Sequence, residues 1–306
     1  MHIKSAKKQI VKYDAESKKI LSNKYVLANI LELVIPEYKE MTYDKVLSLI
    51  EDGDISKKYI QGIKTEDKNL LEGSVDFDLL FKTIKCESTK EIDLYFDIEA
   101  QNINYLTYKV INRAQYYIAR LITRQKNINF VHSEYDKIVK SYTIWINPFP
   151  SKEKENTINF YSLKNIDDSK DKINSFFNII FLNVGFKYEY DVSKKKDVLE
   201  MLDLLFHAND ENVSMKTKIL KDKYHIIIDE KEVNAMCSLG EGIEYIGIQK
   251  GMQQGMQQGI QKGREVEKID NAISFINSGI PSNEVYRILG VNKDVQKKIE
   301  EKLRKN

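Results

Sequence analysis

A chain of 306 residues is long enough for one sizeable core and for two or three domains at most. Charged residues make up 31% and hydrophobic residues 42%, with 13 glycines and 4 prolines, which excludes fibrous, mucin-like and wholly disordered classes. Lys and Arg number 48 against 46 Asp and Glu, and this +2 balance neither marks nor excludes a nucleic-acid binder, because a near-neutral total can hide a basic face.

The start, MHIKSAKKQIVKYDAESKK, lacks the apolar core of a signal peptide, and no run approaches the ~18 apolar residues of a membrane span. Cys86 and Cys237 lie far apart without metal-ligand spacing, so a reducing compartment is expected, with a cytoplasmic location and no membrane partner. In residues 23 to 52, Val26, Leu27, Ile30, Leu31 and Val34 mark one buried helical face that Pro36 ends or kinks, and a second helix is expected from Tyr43 to Ile50.

The period changes to two between residues 74 and 101. SVDFDLLF sets Val75, Phe77 and Leu79 against Asp76, Asp78 and Leu80; after a turn at CESTKE, Leu94, Phe96, Ile98 and Ala100 alternate with Tyr95, Asp97, Glu99 and Gln101. Two neighbouring strands follow from that pattern. YKVINRAQYYIARLITRQ then has helical spacing, and YTIWINPF at 142 to 149 predicts a short apolar strand with Trp145 in the core, stopped by Pro148 and Pro150. Residues 151 to 172 read as a polar loop, INSFFNIIFLNVGFKYEY as an edge strand, and 195 to 208 and 211 to 237 as helices.

Beyond residue 240, glycines recur at 247, 251, 255, 259 and 263, with Ile248, Met252, Met256 and Ile260 keeping the same interval. Four-residue spacing drifts by about 40° per repeat and each glycine costs about 1 kcal/mol of helix stability, which points to a linker or an association helix that needs a partner. The end, KIDNAISFINSGIPSNEVYRILGVNKDVQKKIEEKL, predicts three helices broken at Gly279 and Gly290, with the spacing of a helix-turn-helix or of a small helical cap. The expected division is therefore 1–240, an α/β domain; 241–268, the glycine-periodic segment; and 269–306, a small helical unit.

Strand alternation puts Glu99 and Gln101 on one face, and Asp78 joins them if its strand pairs alongside. Asp78, Glu99 and the Ala100 carbonyl then make an oxygen-rich site for Mg²⁺ or Mn²⁺, with Gln101 orienting water or phosphate, whereas the competing reading is a solvated ribbon face. Asp76 and Asp97 share that face as further ligands or surface residues. On the next helix Arg113, Tyr117 and Arg120 fall at i, i+4 and i+7, a phosphate-gripping face or else internal bracing for the strand carboxylates, and Gln125 ends that face or binds the neighbouring loop. The histidines, His2, His132, His207 and His225, lack ligand spacing, so zinc is not expected.

GSVDFDLLF…LYFDIEAQ, followed by NRAQYYIARLITRQ, YDKIVKSYTIWIN and MCSLGEGIEYIGIQKGMQQG, resembles the PD-(D/E)XK nuclease family transposases, the recombination-promoting nucleases of bacteria, over roughly residues 20 to 265. The resemblance implies a restriction-endonuclease-like α/β core with a mixed central sheet flanked by helices, plus a helical C-terminal tail. It also implies that Asp78 is the metal-binding aspartate and Glu99 the second acid. Gln101 takes the place of the wider superfamily's lysine, and Glu32 or Glu37 is the acid from the first helix. The implied activity is Mg²⁺- or Mn²⁺-dependent hydrolysis of DNA phosphodiesters, linked to recombination or mobile DNA. The alternatives are a weakened nuclease scaffold that binds DNA or assembles, and a nuclease restrained by a partner. The partners expected are DNA and a second copy through the C-terminal tail, with no small-molecule cofactor.

Overall fold

The computed structural model describes residues 2–50, 66–69, 73–76, 78–87, 90–100, 108–168, 175–185, 190, 192–207 and 213–305. It divides into two compact units, Met1–Gly247 and Ile248–Asn306. The first unit is a mixed α/β fold with a central mixed sheet flanked by helices, and the second is helical.

Three helices open the chain: α1 (His2–Leu21), α2 (Lys24–Val34) and α3 (Tyr43–Ser48), with a 3-10 turn Pro36–Tyr38 after α2. Asn23 caps α2 by accepting from the Tyr25 N–H, and Ile35 leaves the helix in an extended conformation ahead of Pro36, as a pre-proline residue must. α1 was not anticipated from the sequence, although Tyr13, Ser17, Ile20 and Leu21 all turn inward at helical intervals.

The strands are β1 (Glu66–Asn69), β2 (Gly73–Asp76), β3 (Leu79–Glu87), β4 (Lys90–Ala100), β5 (Ser141–Asn147), β6 (Thr157–Ser162) and β7 (Phe177–Asn183). β1 and β2 form a separate antiparallel pair, while the main sheet runs β3-β4-β5-β7-β6. Helix α4 (Val110–Thr123) carries the crossover from β4 to its parallel neighbour β5. Three expectations change here. The single strand over 74–81 is two, because β2 pairs with β1 and the chain bends at Asp78 before β3 begins. The polar stretch 151–172 contains β6, whose β-branched and aromatic residues TINFYS are flanked by charged runs that mask them. β7 is an inner strand, buried along Asn178–Ile180 and at Leu182 and Asn183, and β6 takes the edge.

Strand alternation sorts the sheet into two faces. Leu94, Phe96, Ile98, Tyr142 and Ile144 enter the larger core, shared with α1, α2, α5 (Val198–Phe206), α6 (Val213–Tyr224) and the start of α7 (Glu230–Asn277). Tyr95, Trp145, Leu80 and Ile179 face the other way, against Ala114, Ile118 and Leu121 of α4. The second unit closes around Ile269, Ala272, Val285, Val291 and Ile299, from the end of α7, α8 (Ser282–Leu289) and α9 (Lys293–Lys305). Gly279 at φ 92° and Gly290 at φ 58° supply the left-handed turns that end α7 and α8. No helix among the described residues is long and apolar enough to cross a membrane.

Candidate functional site

Leu79 pairs opposite Ile98, so the residue before it comes opposite Glu99. At that point the two chains exchange side-chain bonds. The Asp78 N–H donates to Glu99 Oε1 at 2.9 Å, and the Ala100 N–H donates to Asp78 Oδ2 at 3.1 Å. The bend at Asp78 thus lets its carboxylate reach the end of β4, at the carboxyl edge of a strand with a parallel neighbour, where open α/β sheets place their sites. Asp78 and Glu99 are brought together by this hairpin. Gln101 and the segment to residue 107 lie outside the described residues, as do the side chains around Asp76.

The outer oxygens of both acids meet cations. Lys18 of α1 reaches Asp78 Oδ1 at 3.0 Å and Asp14 at 3.1 Å, and Arg113 of α4 reaches Glu99 Oε2 at 3.3 Å. Arg113 is held in turn by the Tyr117 hydroxyl, to which it donates at 2.9 Å, and lies 5.1 Å from the centre of the Trp145 ring. Behind them Asp97 is fully buried: Thr143 Oγ1 donates to its Oδ2 at 2.6 Å, and Trp145 Nε1 donates to Thr143 at 3.0 Å. Among the described residues, Asp97 Oδ1 meets no donor unless Glu99 carries a proton. Glu99, two residues along the same strand face, is its acidic neighbour, and a proton on either carboxyl would join the pair.

Three acids, Asp78, Asp97 and Glu99, therefore share two cations, and one of those is also held by Asp14. Burial raises Asp78 above the usual carboxylate range despite Lys18 and the Ala100 N–H. Burial also lifts Asp97 to about 7, against the Thr143 and Glu99 hydrogen bonds. Glu99 is raised well above the usual carboxylate range by burial and then by the charges of Asp97 and Asp78, with the Asp78 N–H and Arg113 opposing. Burial would lower the Lys18 ammonium, but Asp78 and Asp14 outweigh it and hold it above its ordinary value.

The remaining residues named from the sequence sit elsewhere. Glu37 pairs with Lys140 at 2.7 Å and accepts from the Tyr142 hydroxyl at 2.5 Å, and the Tyr142 ring belongs to the larger core, across the sheet from Asp97. Glu32 pairs with Lys196 at 3.2 Å. Neither first-helix acid meets Asp78 and Glu99. Arg120 is buried and donates to Tyr116 of the same helix at 3.0 Å, while Arg113 and Tyr117 lie beside Glu99. The Gln125 amide bonds the Val139 backbone and Ser141 and so fixes the entry to β5. His207 is buried between Asp203 and the Pro148 carbonyl.

Asp78 and Glu99 offer carboxylate oxygens, the donor type that hard divalent cations take, and each of those oxygens is met here by a backbone N–H or a cation. Among the described residues no group of three or more His, Cys, Asp or Glu is arranged to hold a metal ion. Two carboxylates suffice for Mg²⁺, which keeps several waters and takes further oxygens from a phosphate substrate. Lys18 is the member that sequence reasoning missed: it lies far upstream of Asp78, and its helix shows no pattern linking the two. No family model, curated protein or solved structure matches the chain.

Proposed function

We propose that the chain is a divalent-metal-dependent DNA endonuclease built on a PD-(D/E)XK-like core, acting in recombination or on mobile DNA. The observation that carries this reading is the facing pair Asp78 and Glu99 at the bend into β3 and the end of β4, with more buried acid than neighbouring cation. The order of acid-bearing hairpin, crossover helix α4 and parallel strand β5 supports the same core. Asp78, Glu99 and the Ala100 carbonyl would hold Mg²⁺ or Mn²⁺. When bound, such an ion would polarise the phosphoryl oxygen and lower the pKa of water.

The chain's own residues do the rest. The backbone N–H groups of Asp78 and Ala100 fix the two carboxylates against rotation, and Tyr117 and Trp145 hold Arg113 at the mouth, where its guanidinium can turn from Glu99 to a neighbouring phosphate. In the reaction a water oxygen forms a new bond to phosphorus while the bond to the leaving sugar oxygen breaks. The water gives up a proton to solvent and the leaving oxygen takes one. Gln101, adjacent in sequence, would orient the water or the phosphate as a neutral amide.

Cleavage of several DNA forms with Mg²⁺, Mn²⁺ or EDTA tests the reading. Glu99→Gln keeps side-chain size but removes a charged ligand, and turnover should fall by about 1000-fold. Unchanged turnover in that variant would remove Glu99 from the site. A second reading, a DNA-binding or assembly scaffold with weakened catalysis, is favoured by the cations already seated on both carboxylates; DNA binding with no cleavage under any ion would select it. A second copy is the other partner we propose, through the glycine-periodic part of α7, where Met252, Met256 and Ile260 are exposed. Light scattering should then show loss of assembly in a chain ending at Gly247.

A further inference from the structure

On the α4 face of the main sheet, towards the end of β4 away from the acid pair, lies a cavity of about 160 Å³ lined by Lys82, Tyr95, Leu121, Arg124, Gln125 and Ile128. Tyr95 pairs with Lys82 across the hairpin and stands roughly 13 Å before Glu99 along the strand. The walls are fixed by bonds of their own. The Tyr95 hydroxyl donates to Asn129 Oδ1 at 2.8 Å, and the Gln125 carboxamide is spent on Val139 and Ser141. The turn after α4 is closed by the Ile128 and Asn129 N–H groups, which both donate to the Gln125 carbonyl, with Asn127 at φ 64°. Leu121 is buried at the floor, and Ile128, 64% exposed, stands at the mouth.

This lining combines an apolar interior with two cations, Lys82 and Arg124, and none of its described members is an acid. Lys82 Nζ lies 4.8 Å from the centre of the Tyr95 ring, so its charge is held over an aromatic wall. A space of this volume with apolar walls holds one six-membered ring, and cations at its edge favour an anionic group on that ring. We propose that the cavity is a binding site for a small aromatic anion, a single ring bearing a carboxylate or a phosphate. The ring packs against Tyr95, Leu121 and Ile128, and Lys82 and Arg124 hold the anionic group. The site stands apart from the endonuclease reading, because neither Asp78 nor Glu99 lines it.

The experiment titrates the full chain, without added metal, with phenyl phosphate, benzoate, benzyl alcohol and inorganic phosphate, followed by isothermal titration calorimetry. Phenyl phosphate and benzoate should bind with a Kd of about 0.1 mM. Benzyl alcohol and inorganic phosphate each carry half of the ligand and should bind about tenfold more weakly. Lys82→Met and Arg124→Met keep an apolar stem and remove the charge, and each should weaken phenyl phosphate about tenfold without weakening benzyl alcohol. Ile128→Trp fills the mouth and should abolish binding of every ring. Lys126→Met, on the same turn but outside the lining, should change nothing. Each variant is first shown by thermal melting to be folded; Lys82 and Ile128 lie outside the core, so their variants carry the test if Arg124→Met unfolds. Phenyl phosphate that binds no tighter than benzyl alcohol, or that is indifferent to both Lys82→Met and Ile128→Trp, overturns the proposal. A loss in Lys126→Met equal to that in Lys82→Met overturns it as well, because surface charge alone would then account for the binding.

Discussion

Two charged regions of the first unit are balanced differently. On the larger-core side Lys223 of α6 donates to both oxygens of Glu200 on α5, at 3.0 and 2.8 Å, one cation for one acid. On the α4 side Asp78, Asp97 and Glu99 draw on Lys18 and Arg113, and Asp97 keeps an oxygen that meets no donor among the described residues unless Glu99 carries a proton. A matched pair secures the register of two helices and has nothing left to offer a ligand. A cluster with more acids than cations costs stability and raises the proton affinity of its carboxyls.

The contrast can be broken from either side. Lys223→Ala strands Glu200 in the larger core and should destabilise the first unit by about 3–5 kcal/mol, measured by denaturant unfolding. Asp97→Asn should do the reverse under the right conditions. Because burial lifts Asp97 to about 7, the native chain keeps a proton that the unfolded chain, near ~3.9, has released. Native stability therefore falls as pH rises from about 4 to about 7 and stays reduced above that. Stability of the variant relative to wild type should rise by about 3 kcal/mol between pH 4.5 and pH 8; a constant difference across that range would show that Asp97 does not titrate there. The smallest effects belong to α7. An added Cβ at Gly255 or Gly259 meets nothing within 4 Å, so alanine at either should stabilise the helix by up to ~1 kcal/mol, read by circular dichroism.

Local rules made much of this readable. The alternation Leu94, Phe96, Ile98 against Tyr95, Asp97, Glu99 predicted the two faces of β4, and Gly279 and Gly290 marked the ends of α7 and α8. Glu99 stood out at the end of an apolar strand, whereas Asp97, open as a further ligand or a surface residue, is buried. What stayed hidden depends on contacts across long sequence separations. The split between β2 and β3 depends on β1 pairing, the inner position of β7 on the parallel ladder to β5, and Lys18 on how α1 meets the sheet. Arg113 and Arg120 share a helical face by spacing, and the structure sets Arg113 beside Glu99 while Arg120 donates to Tyr116 of its own helix, a difference that spacing alone does not carry.

The β3–β4 hairpin also bears on the order in which the protein folds. Its turn pairs Glu87 with Lys90, and zipping it brings Asp78 and Glu99 together across 21 residues of chain. Hairpins of this kind form in about 1–10 μs, whereas Lys18 and Arg113 arrive only with the docking of α1 and of the α4 crossover. If the hairpin zips before α1 and α4 dock, the acids meet before their cations do and the nascent hairpin repels itself. Refolding followed by stopped flow should be slower at pH 8 than at pH 5, and Glu99→Gln should remove most of that difference. The same carboxylates that hold Lys18 and Arg113 in the folded protein would then, in the first microseconds of its life, be an obstacle to its own assembly.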